Sequence, residues 1–267
     1  MRYGYCVHPD YVTNESERLA FFTTLAQAGF DYVELPLFTL SSLTQEELTH
    51  LKKTLEIIPC KACNVFFPWD MKLVGPNMDM GGIRMYLERM LPLAASLGVE
   101  NLVFGNGGAR KIPDGQSRES IWADLRKIVE EMEIHAKKAG IPISVEPLNT
   151  TETNIINSYG EAVALAKGLS YVSAMVDSYH TAANKQTYDD VYETPEALWH
   201  IHTAYPTGRM VPSPEDEMAL YSDFVQMVKA LDYDGKISVE GALRATEPKE
   251  VMAELKACTE TLKMLFG

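Results

Sequence analysis

Short apolar runs recur along the chain with longer amphipathic stretches between them, and the two alternate from one end to the other. Tyr3 to Val7 reads as a first strand ending at His8, and Asn14-Glu15-Ser16-Glu17 then opens a helix to about Ala28 with Asn14 as its cap. Tyr32-Val33-Glu34-Leu35 is the second strand, followed by a helix from about Thr44 to Ile57 that begins on a Thr-Gln-Glu-Glu capping box. Ala62 to Phe66 is the third, and it leads into a long loop, Phe67 to Pro76, of the kind that more often carries function than not. Ile83, Tyr86, Leu87, Met90, Leu91 and Ala94 repeat at helical spacing within Gly82 to Leu97. A fourth strand, Asn101 to Gly105, runs into Asn106-Gly107-Gly108-Ala109-Arg110, and a helix from about Ser117 to Ala139 stops at Gly140 in the C′ position.

The second half continues in the same order. Ile143 to Val145 is a strand and Ser158 to Leu169 a helix; Val172 to Val176 is a strand and Tyr188 to Glu193 a short, weakly periodic helix. Trp199 to Ile201 is a strand with a helix from about Pro214 to Leu231 after it, and Ile237 to Val239 precedes a last helix over Pro248 to Met264. Eight βα units with no composition break predict one (β/α)₈ barrel domain over residues 1–267, with a doubly wound open sheet as the alternative.

The residues at the ends of the late strands add chemistry to this pattern. The apolar run Ile143-Ser144-Val145 ends in Glu146, Val172 to Val176 ends in Asp177, Trp199 to Ile201 ends in His202, and Ile237 to Val239 ends in Glu240. Barrels of this kind place their active sites at the strand C-termini, so these four side chains are expected to meet there. Three carboxylates and one imidazole make a hard, oxygen-rich set suited to a divalent cation: Mn²⁺ first, then Mg²⁺, with Co²⁺ or Zn²⁺ as alternatives.

Composition narrows the partners. The chain has 37 acidic and 24 basic side chains, a net charge of −13, which opposes a phosphate backbone and argues against nucleic acid. No run nears the roughly 18 apolar residues of a membrane span, and the chain enters a strand at once where a secretory segment would be apolar, so a cytoplasmic location without membrane contact is expected. The four cysteines show no framework of paired spacings; Cys60 and Cys63 fall at the third strand, not at the start of a helix, and read as core residues, not a redox pair.

Beyond their chemistry, the late motifs carry a resemblance. Glu146-Pro147-Leu148-Asn149-Thr150-Thr151-Glu152 resembles the E-x-x-N-x-x-E segment of the ketose 3-epimerases related to D-tagatose and D-psicose 3-epimerase, within the xylose-isomerase-like barrel superfamily. Asp177-Ser178-Tyr179-His180 resembles the D-x-x-H of that family, His200-Ile201-His202 its H-x-H, and Val239-Glu240 its last strand. The likeness runs over about residues 140 to 245. It implies a sugar isomerase or epimerase with one metal on Glu146, Asp177, His202 and Glu240, with Glu146 and Glu240 also acting as the two acid/base groups. It further implies sugar contacts from Glu152 and His180, and a homo-oligomer, dimer or tetramer.

One departure is that the family arginine follows its histidine ligand by six residues, whereas Arg209 here follows His202 by seven; a one-residue insertion accounts for this and leaves Arg209 as the substrate clamp, the alternative being a solvated loop charge. His8 stands where the family often has an aromatic residue and reads either as a substrate contact or as a rim histidine. Asn106, in its glycine-rich loop, is assigned to substrate, and the loop itself reads either as a plain glycine turn or as backbone N–H groups that cradle phosphate. Trp69 and Phe67 either close over a sugar or pack on the rim. Competing functions are an aldose–ketose isomerase or an inosose dehydratase or isomerase on the same groups, a sugar-binding protein, and a nuclease of the endonuclease IV type. The last needs extra histidines near strands two to four, where the chain offers Glu34, Asn64 and Asn106.

Overall fold

The computed structural model describes residues 1–267 and closes eight parallel strands into a barrel in sequence order. They are β1 (Arg2–Cys6), β2 (Tyr32–Pro36), β3 (Cys60–Asn64), β4 (Asn101–Phe104), β5 (Ile143–Val145), β6 (Val172–Asp177), β7 (Leu198–Thr203) and β8 (Lys236–Val239). The ring closes where Tyr5 of β1 stands opposite Val239 of β8. This is a (β/α)₈ TIM barrel, as the alternation predicts, and the open-sheet alternative is excluded by the closure. Strands covered on both faces read as continuous apolar runs, which is why short apolar runs and not alternation located them.

Helices cover the outside, and their starts follow local chemistry. The Asn14 side chain accepts from the Glu17 amide to start Glu15–Ala28, and the capping box of Thr44 and Glu47 forms in full before Gln45–Thr54. Ser117 caps Arg118–Ala139, and Gly140, at φ 70°, ends it in the left-handed conformation that glycine adopts without strain. Cys60 and Cys63 are both buried in β3, core cysteines as expected.

Two expectations need correction. The helix expected over Pro214 to Leu231 is confined to Ser222–Ala230, after a single 3₁₀ turn at Met218–Tyr221. Asp216 explains the shortening: its carboxylate accepts from the Ser213 amide (2.8 Å) and the Tyr221 hydroxyl (3.0 Å) and pairs with Arg244 (3.0 Å), which holds the segment as a loop. The first strand stops at Cys6, and a one-turn helix, Pro9–Thr13, follows at once, so His8 is a helix cap and not a strand end.

The barrel interior is partly polar. Tyr32, Glu34, His200, His202 and Ser238 are all buried within it, and Gly4 of β1 makes room for them: a Cβ at Gly4 would overlap the Tyr32 ring. Strand register carries this polar column up to the C-terminal rim, because Asp177 stands beside His202 and His202 beside Ser238.

Candidate active site

Four strand ends deliver the predicted set to one place. One ligand atom from each of Glu146, Asp177, His202 and Glu240 lies within 4.8 Å of the others. His202 Nδ1 is the hub, 3.1 Å from Glu146 Oε1 and 3.0 Å from Glu240 Oε2. Asp177 uses Oδ1 to accept from the Tyr179 and His180 amides (2.7 and 3.1 Å), while its Oδ2 is buried with no hydrogen bond, the Arg209 guanidinium and His180 Nε2 standing off at 3.7 and 3.6 Å. A buried carboxylate oxygen without a partner is expensive unless something positive binds it. Together with the hard donor set, that orphaned oxygen fits a divalent cation held by these four residues.

The two glutamates differ electrostatically. Burial and the neighbouring charge of Glu240 push the Glu146 carboxyl above the ordinary range. Burial opposes the charge on Glu240 as well, but Arg209 and His202 outweigh it and hold that carboxyl at about 2. Room for Glu146 comes from Gly105, just past β4, where a Cβ would overlap the carboxylate. Arg110 fixes the same corner: its buried guanidinium donates to the Phe104 carbonyl (2.9 Å) and the Glu146 carbonyl (2.5 Å), joining the ends of β4 and β5.

Glu152 and His180 lie beside this centre, linked through Asn149. The Asn149 carboxamide nitrogen stands 2.9 Å from Glu152 Oε1 and 2.9 Å from His180 Nδ1, and its backbone N–H donates to the same His180 nitrogen (3.2 Å). The other imidazole nitrogen, Nε2, therefore faces Asp177 (3.6 Å) and Arg209 (3.4 Å). Arg209 reaches the site despite the extra residue. Tyr205 and Met210 bridge as in a hairpin, and Gly208 and Arg209 both take positive φ, 79° and 52°, to turn the intervening loop. Its guanidinium pairs with Glu240 (2.8 Å), lies 3.6 Å from Glu152 and stacks over the Tyr179 ring at 4.9 Å.

Other sequence candidates fall differently. His8 is exposed on the rim, its Nδ1 accepting from the Asp10 amide (3.4 Å), and it lines a cavity that also touches Glu240. Asn106 is fully buried, and its side chain accepts from the Phe67 amide (3.0 Å) and donates to the Phe67 carbonyl (2.6 Å). Both ends of the amide are used to clamp the third loop, which corrects the expected substrate contact. Nor does its loop have the form of a phosphate cradle, since Gly107–Arg110 is a single turn and Arg110 points inward. Phe67 is core, whereas Trp69 is 60% exposed on the rim, edge-on to Phe38.

Glu34, which the sequence presents simply as a residue of β2, lies directly beneath the centre, its Oε1 2.9 Å from His202 Nε2. A glutamate between Val33 and Leu35 in a strand apolar on both faces was the available signal. Asn149 was legible as the middle of its motif; Arg110, Gly105 and Tyr179 carried no local signal.

A profile of the Xylose isomerase-like TIM barrel family matches residues 22–261. The 3-dehydro-D-guloside 4-epimerase of Escherichia coli K12 is 24% identical over 250 residues, which cover 89% of this chain and 93% of that protein. The D-psicose 3-epimerase of Agrobacterium fabrum C58 is 24% identical over 242 residues, 81% of this chain and 76% of its own. Among solved structures, a D-psicose 3-epimerase crystallised in the presence of D-fructose superposes with a TM-score of 0.84 over 100% of both chains at 18% identity, a likeness of fold. No helix is long and apolar enough to cross a membrane.

Proposed function

This chain belongs to the xylose isomerase-like TIM barrel family, and from that premise we propose that it is a metal-dependent sugar epimerase that inverts C3 of a ketose or ketose phosphate. The observation that carries the reading is the convergence of two glutamates from β5 and β8 on one imidazole, Glu146 and Glu240 at 3.1 and 3.0 Å from His202 Nδ1. Inversion beside a ketone needs a proton removed from one face of the carbon and returned to the other, hence two proton-carrying groups on different sides.

Glu146 and Glu240 suit that division. Burial and a like charge raise Glu146, which makes it the carboxyl that carries a proton for delivery to one face, while Arg209 keeps Glu240 ionised to take the proton from the other. The two exchange protonation states with each turnover. Glu146, Asp177, His202 and Glu240 would hold a divalent cation, Mn²⁺ by preference, which would supply positive charge against the negative charge that develops on the substrate oxygens. Glu152, His180 and Arg209 orient the sugar hydroxyls, their mutual contacts through Asn149 fixing which carbon lies between the glutamates.

A second reading places the inversion at C4 of a 3-keto glycoside. It is favoured by the relative named for such a reaction, which matches over 93% of its own length, and by a cavity of about 550 Å³ that runs outward from Glu240. Tyr11, Phe21, Leu243 and Val251 line that cavity, which offers an apolar berth for a substituent beyond the sugar ring. One experiment separates the readings: Mn²⁺-loaded protein is incubated in D₂O with free ketoses, ketose phosphates and a methyl 3-keto glycoside, and deuterium is located by NMR. Incorporation at C3 of a ketose supports the first, incorporation at C4 of the glycoside the second. Exchange at C1 of a ketose instead points to an aldose–ketose isomerase, and no exchange into any of them defeats the epimerase reading. The assembly is taken to be a homo-oligomer, and light scattering that reports a single 29.8 kDa chain rejects this.

A further inference from the structure

Glu34 is a fully buried carboxylate that neither the proton transfers nor the proposed cation set employs. Its two oxygens are divided between two imidazoles. Oε1 lies 2.9 Å from His202 Nε2; Oε2 lies 2.9 Å from His200 Nε2 and accepts from the Ser238 hydroxyl at 2.5 Å, with the Tyr32 hydroxyl 2.8 Å further along. His200 Nδ1 is buried with no partner. A proton there would be an unpaired buried donor, so His200 carries its proton on Nε2 and donates it to Glu34.

A neutral imidazole has one N–H and one lone pair, and only the lone pair binds a cation. His202 has Nε2 against Glu34 and Nδ1 against Glu146 and Glu240. We infer that Glu34 is the positioning residue of this centre: by accepting the Nε2 proton of His202 it fixes both ring orientation and tautomer, and so presents the Nδ1 lone pair to the cation site. The inference rests on the reading of Glu146, Asp177, His202 and Glu240 as a metal set. A hydrogen-bond acceptor behind a ligating histidine is a common device of metal sites, and it fixes the tautomer and raises ligand basicity.

A purely structural role is the competing explanation, and the surroundings argue against it. Burying a carboxylate in a barrel interior is costly where an apolar side chain of the same volume would fill the layer, so a buried charge needs a partner that uses it. A second cation between Cys6, Glu34 and His202 is the other competitor, since their ligand atoms also lie within 4.8 Å of one another. That arrangement would strip both protons from His202 and make it bridge two cations, whereas a single hydrogen bond to Glu34 satisfies Nε2 outright.

The test uses the full-length protein and the metal alone. Mn²⁺ affinity is measured by chelator competition for the parent, Glu34→Gln, Glu34→Asp and Tyr32→Phe. Long-range ¹H–¹⁵N spectra of the Zn²⁺-loaded, histidine-labelled parent report which His202 nitrogen carries the proton. The expected result is an Nε2–H tautomer in the parent and a Kd raised about 10–100-fold in Glu34→Gln. Glu34→Asp, which keeps the charge at a longer reach, should fall between the two. Tyr32→Phe cuts the same polar column two links away from His202 and should keep the parent Kd, which a general loss of barrel packing would not allow. Parent-like affinity in both Glu34 variants overturns the inference and leaves the metal set standing. So does a parent spectrum with the proton on Nδ1, a result available even if the variants do not fold. A parent that binds no divalent ion overturns the metal set itself, and this inference with it.

Discussion

Glu146 and Glu240 make different demands on a substitution, because each serves one face of the reacting carbon in the proposed chemistry. Glutamine at either position keeps the shape and one ligand oxygen but cannot take up a proton, so turnover of metal-loaded protein should fall by about 10²–10⁴-fold. Following solvent exchange and inversion separately in D₂O distinguishes the two roles: a two-base site lets one variant still exchange the substrate proton from its remaining face while inversion stops. If both metal-loaded variants turn over substrate as the parent does, the glutamates are not the bases and Glu152 or His180 must be tested in their place. Gly105 makes a sharper point about space. Alanine there puts a methyl group into the Glu146 carboxylate, which must then move. A displacement near 1 Å costs about 10²-fold in activity, so Gly105→Ala should lose activity on that scale while its circular dichroism stays that of the parent. Parent-like activity would mean that Glu146 tolerates relocation and is not held to a working geometry.

The loops and strands show which parts of the site could be read in advance. Glu146, Asp177, His202 and Glu240 were legible because an apolar strand announces its own end, and the residue after it then stands out by type. The barrel was legible for the same reason, since closure follows from eight alternating units. Register hid the rest. Glu34 reaches His202 only because strands far apart in sequence face one another inside the barrel, and Asn106 proved a clamp because Phe67 packs beside it through a contact spanning the β3 and β4 loops. The shortened helix after Pro214 has a similar origin, because Arg244, a long way downstream, recruits Asp216. Arg110 is the clearest case at this scale. It ties together the ends of β4 and β5, and burial pushes its guanidinium down to about 10. Arg110→Met should leave the Glu146 carbonyl unpaired, at about 1–3 kcal/mol, while the Phe104 carbonyl keeps the Glu146 amide, and it should weaken Mn²⁺ binding through Glu146. Denaturant melts of the metal-free variant check the first part and chelator competition the second; unchanged stability would show that water replaces the guanidinium.

Across the whole molecule the site couples folding, metal and pH, and the signs can be worked out. Without metal, burial opposes a charged imidazole at His202, but Glu34, with Cys6 and Glu240, outweighs it and holds the group well above its ordinary value. A group raised in this way contributes stability that is complete below its unfolded pKa, about 6.5, and that is lost as pH rises through the folded value. Glu146, raised by burial and by Glu240, is an acid whose charged form the fold disfavours, so it too weakens the metal-free protein as pH rises. Glu240, held at about 2, contributes stability above its unfolded pKa and loses it only as pH falls towards 2. Ligation requires His202 neutral at Nδ1 and favours Glu146 ionised at rest, the two states that the metal-free fold resists. Mn²⁺ binding should therefore release protons, and its affinity should rise as pH is raised from about 5 to about 8. The two slopes oppose each other: the metal-free protein loses the His202 and Glu146 contributions as pH rises, while the metal-bound protein gains RT ln(1 + [L]/Kd) of stability, about 2.7 kcal/mol when Mn²⁺ stands at a hundred times Kd. The gap between the two melting curves should accordingly widen with pH, and titration calorimetry in buffers of different ionisation enthalpy should register proton release. A gap that stays constant over that range, with no proton released, would mean that His202 and Glu146 do not lose protons to a metal, and the cation would have to sit on other groups.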